Sequence, residues 1–317
     1  MIPDSLLAPL RAALLLSTLA LGAVVAIAAP EGNAPAPPVL TEDLGLALID
    51  GFPATDYADN GSLALSVPGL LRADGGTDVV NSMGTYSSAF DAGALGPRWV
   101  AWHLDSKDIG KSGRSNDFRP DEMLPVALQV TPNDYRGSGY DRGHQCPSGD
   151  RTSNSDANSS TFLMSNMLPQ APDLNRQVWR KFEEYLRSQL KDGTNEIYVV
   201  CGGTGTLGRI GEGRINIPAK CWKVALILPV GDGDLKRVSA DTRVIAVEMP
   251  NVDGDATAKG GWRDFLTTTD ALEAETGLDL WSRVPVEVQQ VIEASVDSGR
   301  AKPTRAGEVA PLEADEK

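Results

Sequence analysis

Four short apolar stretches constrain this chain more than any other feature: Trp99 to Leu104, Ile197 to Cys201, Cys221 to Leu228 and Arg243 to Glu248. Their length and their β-branched and aromatic content read as strands. Long, irregular, glycine-rich loops separate them, and helical segments are few. A doubly wound fold needs regular βαβ alternation, so the pattern predicts a mixed α+β domain.

The spacing of Leu174, Val178, Phe182 and Leu186 predicts a helix over 173–191, with Pro172 before it and Asp173 as its cap. Asp270-Ala271-Leu272-Glu273 reads as a capping box for a short helix stopped by Gly277, and 285–296 as another short helix. Residues 80–297 form the packed domain. Before it, 41–79 is an extension of unassigned role, and 30–40 is a Pro/Ala-rich linker. Residues 298–317 are a polar, acidic tail with the composition of disorder.

Residues 1–29 carry an apolar run after Arg11 that closes on Ala26-Ile27-Ala28, a small-x-small pattern like a signal-peptidase site. The expectation is export, periplasmic or secreted, with a membrane anchor as the alternative reading of the same run. Beyond it stand Cys146, Cys201 and Cys221, an odd number, so at least one is unpaired within the monomer. A Cys201–Cys221 bridge and two buried thiols are equally compatible with the sequence.

The chain has 317 residues and a formal net charge of -14, which argues against non-specific coating of nucleic acid. It does not exclude a grip on a few phosphates through local arginines. Such residues gather around Tyr140-Asp141-Arg142-Gly143-His144-Gln145-Cys146-Pro147, Ser165 to Gln170, and Leu174 to Trp179 with Glu183. Phosphodiester hydrolysis needs a base for water, positive charge on the phosphate, and a Lewis acid for the leaving oxygen. His144, one of two histidines, is the candidate base, whereas His103 lies inside an apolar strand and reads as structural. Arg114 and Arg142 are candidate phosphate clamps, since a guanidinium offers paired donors. Arg119, Arg136, Arg151, Arg176, Arg180 and Lys181 could add a local basic track. Asn175 and Glu183 would fall on one side of the helix, within roughly 80°. An amide oxygen suits Mg²⁺, which keeps most of its water shell. On helix geometry alone, Asn175 reads as a cap and Glu183 as part of a solvated face. Zinc through His144 and Cys146 is disfavoured, because no paired ligand spacing accompanies it.

These motifs, together with Pro97 to Leu104, Arg114-Ser115-Asn116-Asp117-Phe118-Arg119, Tyr135 to His144 and Leu272 to Asp279, resemble the DNA/RNA non-specific endonucleases of the ββα-metal (His-Me finger) type, the group that includes endonuclease G. The resemblance spans about 80–295. It implies a central antiparallel sheet carrying the ββα-metal element, with His144 in a hairpin and Asn175 on the following helix. It implies His144 as general base, Asn175 as direct Mg²⁺ ligand (Mn²⁺ able to substitute), and Glu183 as the carboxylate orienting water on the metal. Arg114 resembles the arginine that steadies the transition-state phosphate, Arg142 and Arg176 substrate-side arginines, and Asn166 an asparagine supporting site geometry. DNA and RNA are the implied substrates, held through phosphate contacts, with 5′-phosphate products. The sequence marks no stable protein partner and leaves a homodimer open. Two positions depart from the family pattern: Cys146 replaces a small apolar residue, and Phe162 stands where some relatives have a further asparagine. Two rivals remain at this point. A phosphoesterase acting on small nucleotides would cut a dinucleotide but not plasmid, and an inactive binding module would cut neither.

Overall fold

The computed structural model describes residues 85–299, with the backbone of Gly69–Leu70 and Val79–Ser82. The N-terminal apolar run, the linker, most of 41–79 and most of the acidic tail lie outside the described residues. The strands that frame the site are β1 (Val79–Ser82), β2 (Ser87–Asp91), β3 (Gly96–Leu104), β4 (Asp141–His144), β5 (Met167–Gln170), β6 (Asn195–Thr204), β7 (Lys220–Pro229), β8 (Arg243–Pro250) and β9 (Leu266–Thr267). The helices that cover them are α1 (Ser155–Ser160), α2 (Arg180–Ser188), α3 (Thr269–Thr276) and α4 (Val286–Ile292).

Seven strands form one sheet in the order β9-β8-β7-β6-β3-β2-β1, and every neighbouring pair is antiparallel. The four apolar runs lie in β3, β6, β7 and β8, so the sheet's centre is where the sequence put it. Strand side chains alternate between faces. Val100, Trp102, Ile197, Val199 and Ala225 share one core cluster, while Trp99, Ala101, Tyr198, Val200 and Val224 share another. Both faces are buried, which explains why these strands read as continuous apolar runs.

The first face is covered by Leu174, Val178, Phe182 and Leu186, the stripe expected of a helix. The helix differs from expectation at its start. Leu174–Trp179 is a π-helical turn that leads into α2. Asp173 makes no side-chain cap; its carboxylate instead accepts from Gly254 N at 3.0 Å, and its own N–H donates to Asp253 Oδ1 at 2.8 Å. The loop at 253–254 therefore anchors this end.

The second face is covered by Leu272, Leu278, Leu280, Trp281 and Ile292, from α3, α4 and the segment joining them. Gly277 does end α3, at φ 68°, in the left-handed region glycine tolerates. The cap is Thr268, whose hydroxyl accepts from Ala271 N at 3.1 Å, not Asp270. The last helix is shorter than expected, ending at Ile292.

β4 and β5 pair with each other outside the large sheet, with His144 opposite Met167 and Asp141 opposite Gln170. Asn166 locks this element. Its Oδ1 accepts from Cys146 N at 3.0 Å, and its amide donates to the carbonyls of Cys146 and Thr161, both at 2.9 Å.

Candidate active site

A glycine is required immediately before the histidine. A Cβ on Gly143 would lie 2.1 Å from Gln170 Oε1, and Gln170 is fully buried. This close packing sets β4 against β5 and delivers His144 at the end of β4. The imidazole is 8% exposed and meets the rings of Phe162 and Phe118 edge-on, with centroids 4.8 and 5.5 Å away. Nε2 is buried without a hydrogen-bond partner. A hydrogen bond from the ring to the Arg142 backbone would fall to Nδ1 and leave the lone pair on Nε2. Burial, then the charges of Arg114 and Arg142, press the imidazole pKa down to about 3, so it is neutral at ordinary pH.

A cleft of about 510 Å³ is lined by Arg114, Phe118, Tyr140, Arg142 and Asn175, among others. Asn175 reaches it from the π-helical turn, an irregularity that recurs at functional sites. Its amide nitrogen donates to Asp141 Oδ2 at 2.9 Å. The same carboxylate receives Arg176 through two bonds of 2.6 and 2.7 Å. Asp141 thus orients Asn175, leaving the amide oxygen for an electropositive partner. Arg176 is itself exposed and committed to Asp141. Asp141 stands in the motif, but its orienting role was not legible, because its partners are 34 and 35 residues away.

The two clamp candidates stack on the rings that cover His144. Arg142 lies 3.9 Å above the Phe118 ring and Arg114 4.8 Å from the Phe162 ring. Arg114 also donates to Ser148 Oγ at 2.7 Å and Asn116 Oδ1 at 2.9 Å. Beneath it, the fully buried Asn158 of α1 accepts from Ser115 N at 2.9 Å and donates to the carbonyls of Ser148 and Arg151. That side chain fixes the Arg114 loop, and nothing in its local sequence announces it.

Glu183 does not lie on a solvated face. Its carboxylate is 12% exposed and pairs with Lys223 at 3.1 Å. Lys223 is fully buried and sits 4.3 Å from the Trp179 ring and 5.2 Å from that of Trp102. Burial alone would lower its pKa, but Glu183, Cys201 and Asp150 outweigh that and hold the ammonium above its ordinary value. Asp150 extends the buried polar chain to Arg187 at 2.7 Å and to the Trp102 indole at 3.0 Å.

The expected basic track shrinks. Of its members, Arg136 lines the cleft. Arg151 is instead buried and donates to the Thr85 and His103 carbonyls, while Arg180 is spent on Glu184. Arg119 is held by Asp117 and the Ser159 carbonyl. His103 pairs with Glu196 at 3.0 Å, in line with a structural role. Cys146, Cys201 and Cys221 are free, buried thiols, so the Cys201–Cys221 bridge does not form. Burial pushes Cys201 and Cys221 up to about 12 and Cys146 well above the ordinary thiol range. Among the described residues the one set of three His, Cys, Asp or Glu ligand atoms within 4.8 Å of one another does not include His144 or Cys146.

Comparison with known proteins agrees with this geometry. The family model described as DNA/RNA non-specific endonuclease matches residues 72–287. A nuclease of Nostoc sp. is 43% identical over 201 residues, covering 63% of this chain and 72% of that protein. Mitochondrial endonuclease G of Bos taurus is 32% identical over 286 residues, covering 82% of this chain and 90% of that one. In three dimensions, a chain from the crystal structure of the EndoG/EndoGI complex matches with a TM-score of 0.58 at 25% identity, over 67% of this chain and 89% of that chain. A family match across most of the sequence, with an antiparallel sheet and a paired β4–β5 element feeding one arginine-lined cleft, places this chain in the DNA/RNA non-specific endonuclease family.

Proposed function

We propose that the chain is an exported, Mg²⁺-dependent endonuclease that hydrolyses DNA and RNA with little sequence preference, with His144 as general base. One observation carries the reading: His144 presents a buried, unpartnered Nε2 lone pair beside Arg114 and Arg142. On a neutral imidazole, that nitrogen can take a proton from water. The guanidiniums of Arg114 and Arg142 bind phosphate oxygens and meet the charge that develops on them. Recognition through phosphates alone carries no base preference.

The donor set fits a hard cation. Asn175, whose amide nitrogen donates to Asp141, offers a neutral oxygen, and Glu183, paired with Lys223, is the carboxylate assigned to a water on the metal. Bound Mg²⁺, or Mn²⁺ in its place, would supply Lewis acidity to the leaving 3′ oxygen. The apolar N-terminal run supports export to the periplasm or medium, or tethering through an uncleaved segment.

The test is incubation of purified protein with plasmid, RNA and a dinucleotide, each with Mg²⁺ or chelator. Both polymers should be cut only with the metal, leaving 5′-phosphate ends, and His144→Ala should abolish cutting. Cleavage of the dinucleotide alone, or undiminished cleavage in chelator, would overturn the reading. Fractionation of expressing cells tests export, which cytosolic retention would refute.

A further inference from the structure

A second cluster of charge lies away from the cleft, on the sheet face covered by α3 and α4. Asp270 and Glu273 project from α3, and Glu293 caps the C-terminus of α4. One carboxylate oxygen from each lies within 4.8 Å of the others. The helices are tied at this point by a backbone bond from Asp270 N to Glu293 O at 3.2 Å. Glu293 is only 5% exposed, and its Oε1 is buried with no hydrogen-bond partner.

We propose that Asp270, Glu273 and Glu293 form a binding site for a hard divalent cation of the Ca²⁺ type, which clamps α3 to α4. A buried carboxylate oxygen lacking a donor is costly, and packing two more carboxylates against it adds repulsion. The charged neighbours acting on Glu293 are the carboxylates of Glu273, Asp270 and Asp279. Among the described residues, the charges that act most on Glu293 are all negative, and a positive ion would offset them.

The chemistry selects the ion. All three donors are carboxylate oxygens, which suit Ca²⁺ and Mg²⁺ over metals that prefer thiolate or imidazole. Ligands opposite one another across Ca²⁺ are separated by about 4.6–5.2 Å, twice the Ca–O distance, so the observed spacing fits inside its shell. Mg²⁺ demands strict octahedral order and holds most of its water shell, which suits a protein carboxylate cage less well. One oxygen of Glu273 is already taken by Leu280 N at 2.6 Å, leaving the other for the ion. The carbonyl end of α4 adds a field that favours a cation. The role is structural, since the cluster lies on the opposite face from the arginines and His144. It stands independently of the nuclease reading.

The experiment uses the full chain carrying Asn175→Ala, so that a cation response at the cleft does not contribute. Thermal melting after chelator treatment is followed as CaCl₂ is added. Saturating Ca²⁺, at a hundredfold excess over Kd, should raise Tm by roughly 5 °C or more. Adding Asp270→Asn with Glu293→Gln should abolish that shift. Asp270→Asn alone, at an exposed position where folding is not at risk, should weaken Ca²⁺ binding at least tenfold by calorimetry. An unresponsive Tm, or a shift retained in the doubly substituted cluster, overturns the site in favour of carboxyl groups that share a proton.

Discussion

Replacing His144 by Asn tests the electrostatics of the cleft through stability, with no substrate needed. Asn keeps a donor near the position of Nδ1, so the bond to the Arg142 backbone can survive while the titrating group is lost. In the unfolded chain the imidazole has its ordinary pKa near 6.5, and in the folded protein it lies at about 3. The folded pKa is depressed, so below pH 6.5 the unfolded chain binds the proton that the native state refuses. Stability therefore rises with pH between about 3 and 6.5, with a limiting slope of about 1.4 kcal/mol per pH unit. Integrated from pH 7 to pH 5, this one group removes about 2 kcal/mol from the stability of the fold. The side chain is nearly inaccessible, so solvent does little to screen the effect. Urea denaturation in chelator at the two pH values measures it. The parent protein should lose about 2 kcal/mol more than His144→Asn between them. An identical loss in both proteins would mean that His144 is protonated normally in the fold, and the picture of a neutral base pressed down by burial and two arginines would fail.

Lys223→Met leaves Glu183 buried without its partner and should cost about 3–5 kcal/mol by urea denaturation at neutral pH, with most of it recovered on adding Glu183→Gln. A loss under about 1 kcal/mol would show that the pair is solvated after all. Gly143→Ala drives a methyl group into Gln170 and should cost about 1–3 kcal/mol. Gln170→Ala in the same chain should restore part of it; a freely tolerated Gly143→Ala would remove the packing reason for that glycine.

The sheet's centre was legible because β3, β6, β7 and β8 are buried on both faces, which compresses their apolar residues into unbroken runs. β1, β2 and β9 carry no such run, being Val79-Val80-Asn81-Ser82, Ser87 to Asp91 and Leu266-Thr267, and they join the sheet through backbone pairing that composition does not mark. The helix over 173–191 was legible from its apolar stripe. Its π-helical start was not, since that turn depends on contacts with the 253–254 loop far along the chain. Lys223 shows where a signal existed. Alternation in β7 puts it on the same face as Cys221 and Ala225, inside the sheet, and a buried ammonium requires an anion. Reading Glu183 on helix geometry as part of a solvated face, with Lys223 left without comment inside its strand, separated two halves of one pair. Asn158 and Asp141 work only across the tertiary fold, so no local pattern revealed them.

If His144 is the base and the arginines bind phosphate, as proposed, the cleft couples substrate binding to the strength of that base. An imidazole pressed to about 3 is a poor proton acceptor, because general bases work best with a pKa near the working pH. Two of the causes pressing it down are Arg114 and Arg142, whose guanidiniums stack on Phe162 and Phe118, the rings that pack against His144. A phosphodiester seated on those guanidiniums brings negative charge against them and offsets their effect on the ring. On that reading the base would strengthen when substrate is present and stay weak when it is not. Linkage makes the effect reciprocal: whatever phosphate adds to the proton affinity of His144, a proton on His144 adds to the affinity for phosphate. On the proposed reading, the arginines that hold the backbone to be cut also regulate the nitrogen that takes a proton from water, and the Phe118 and Phe162 rings shield that nitrogen from bulk solvent.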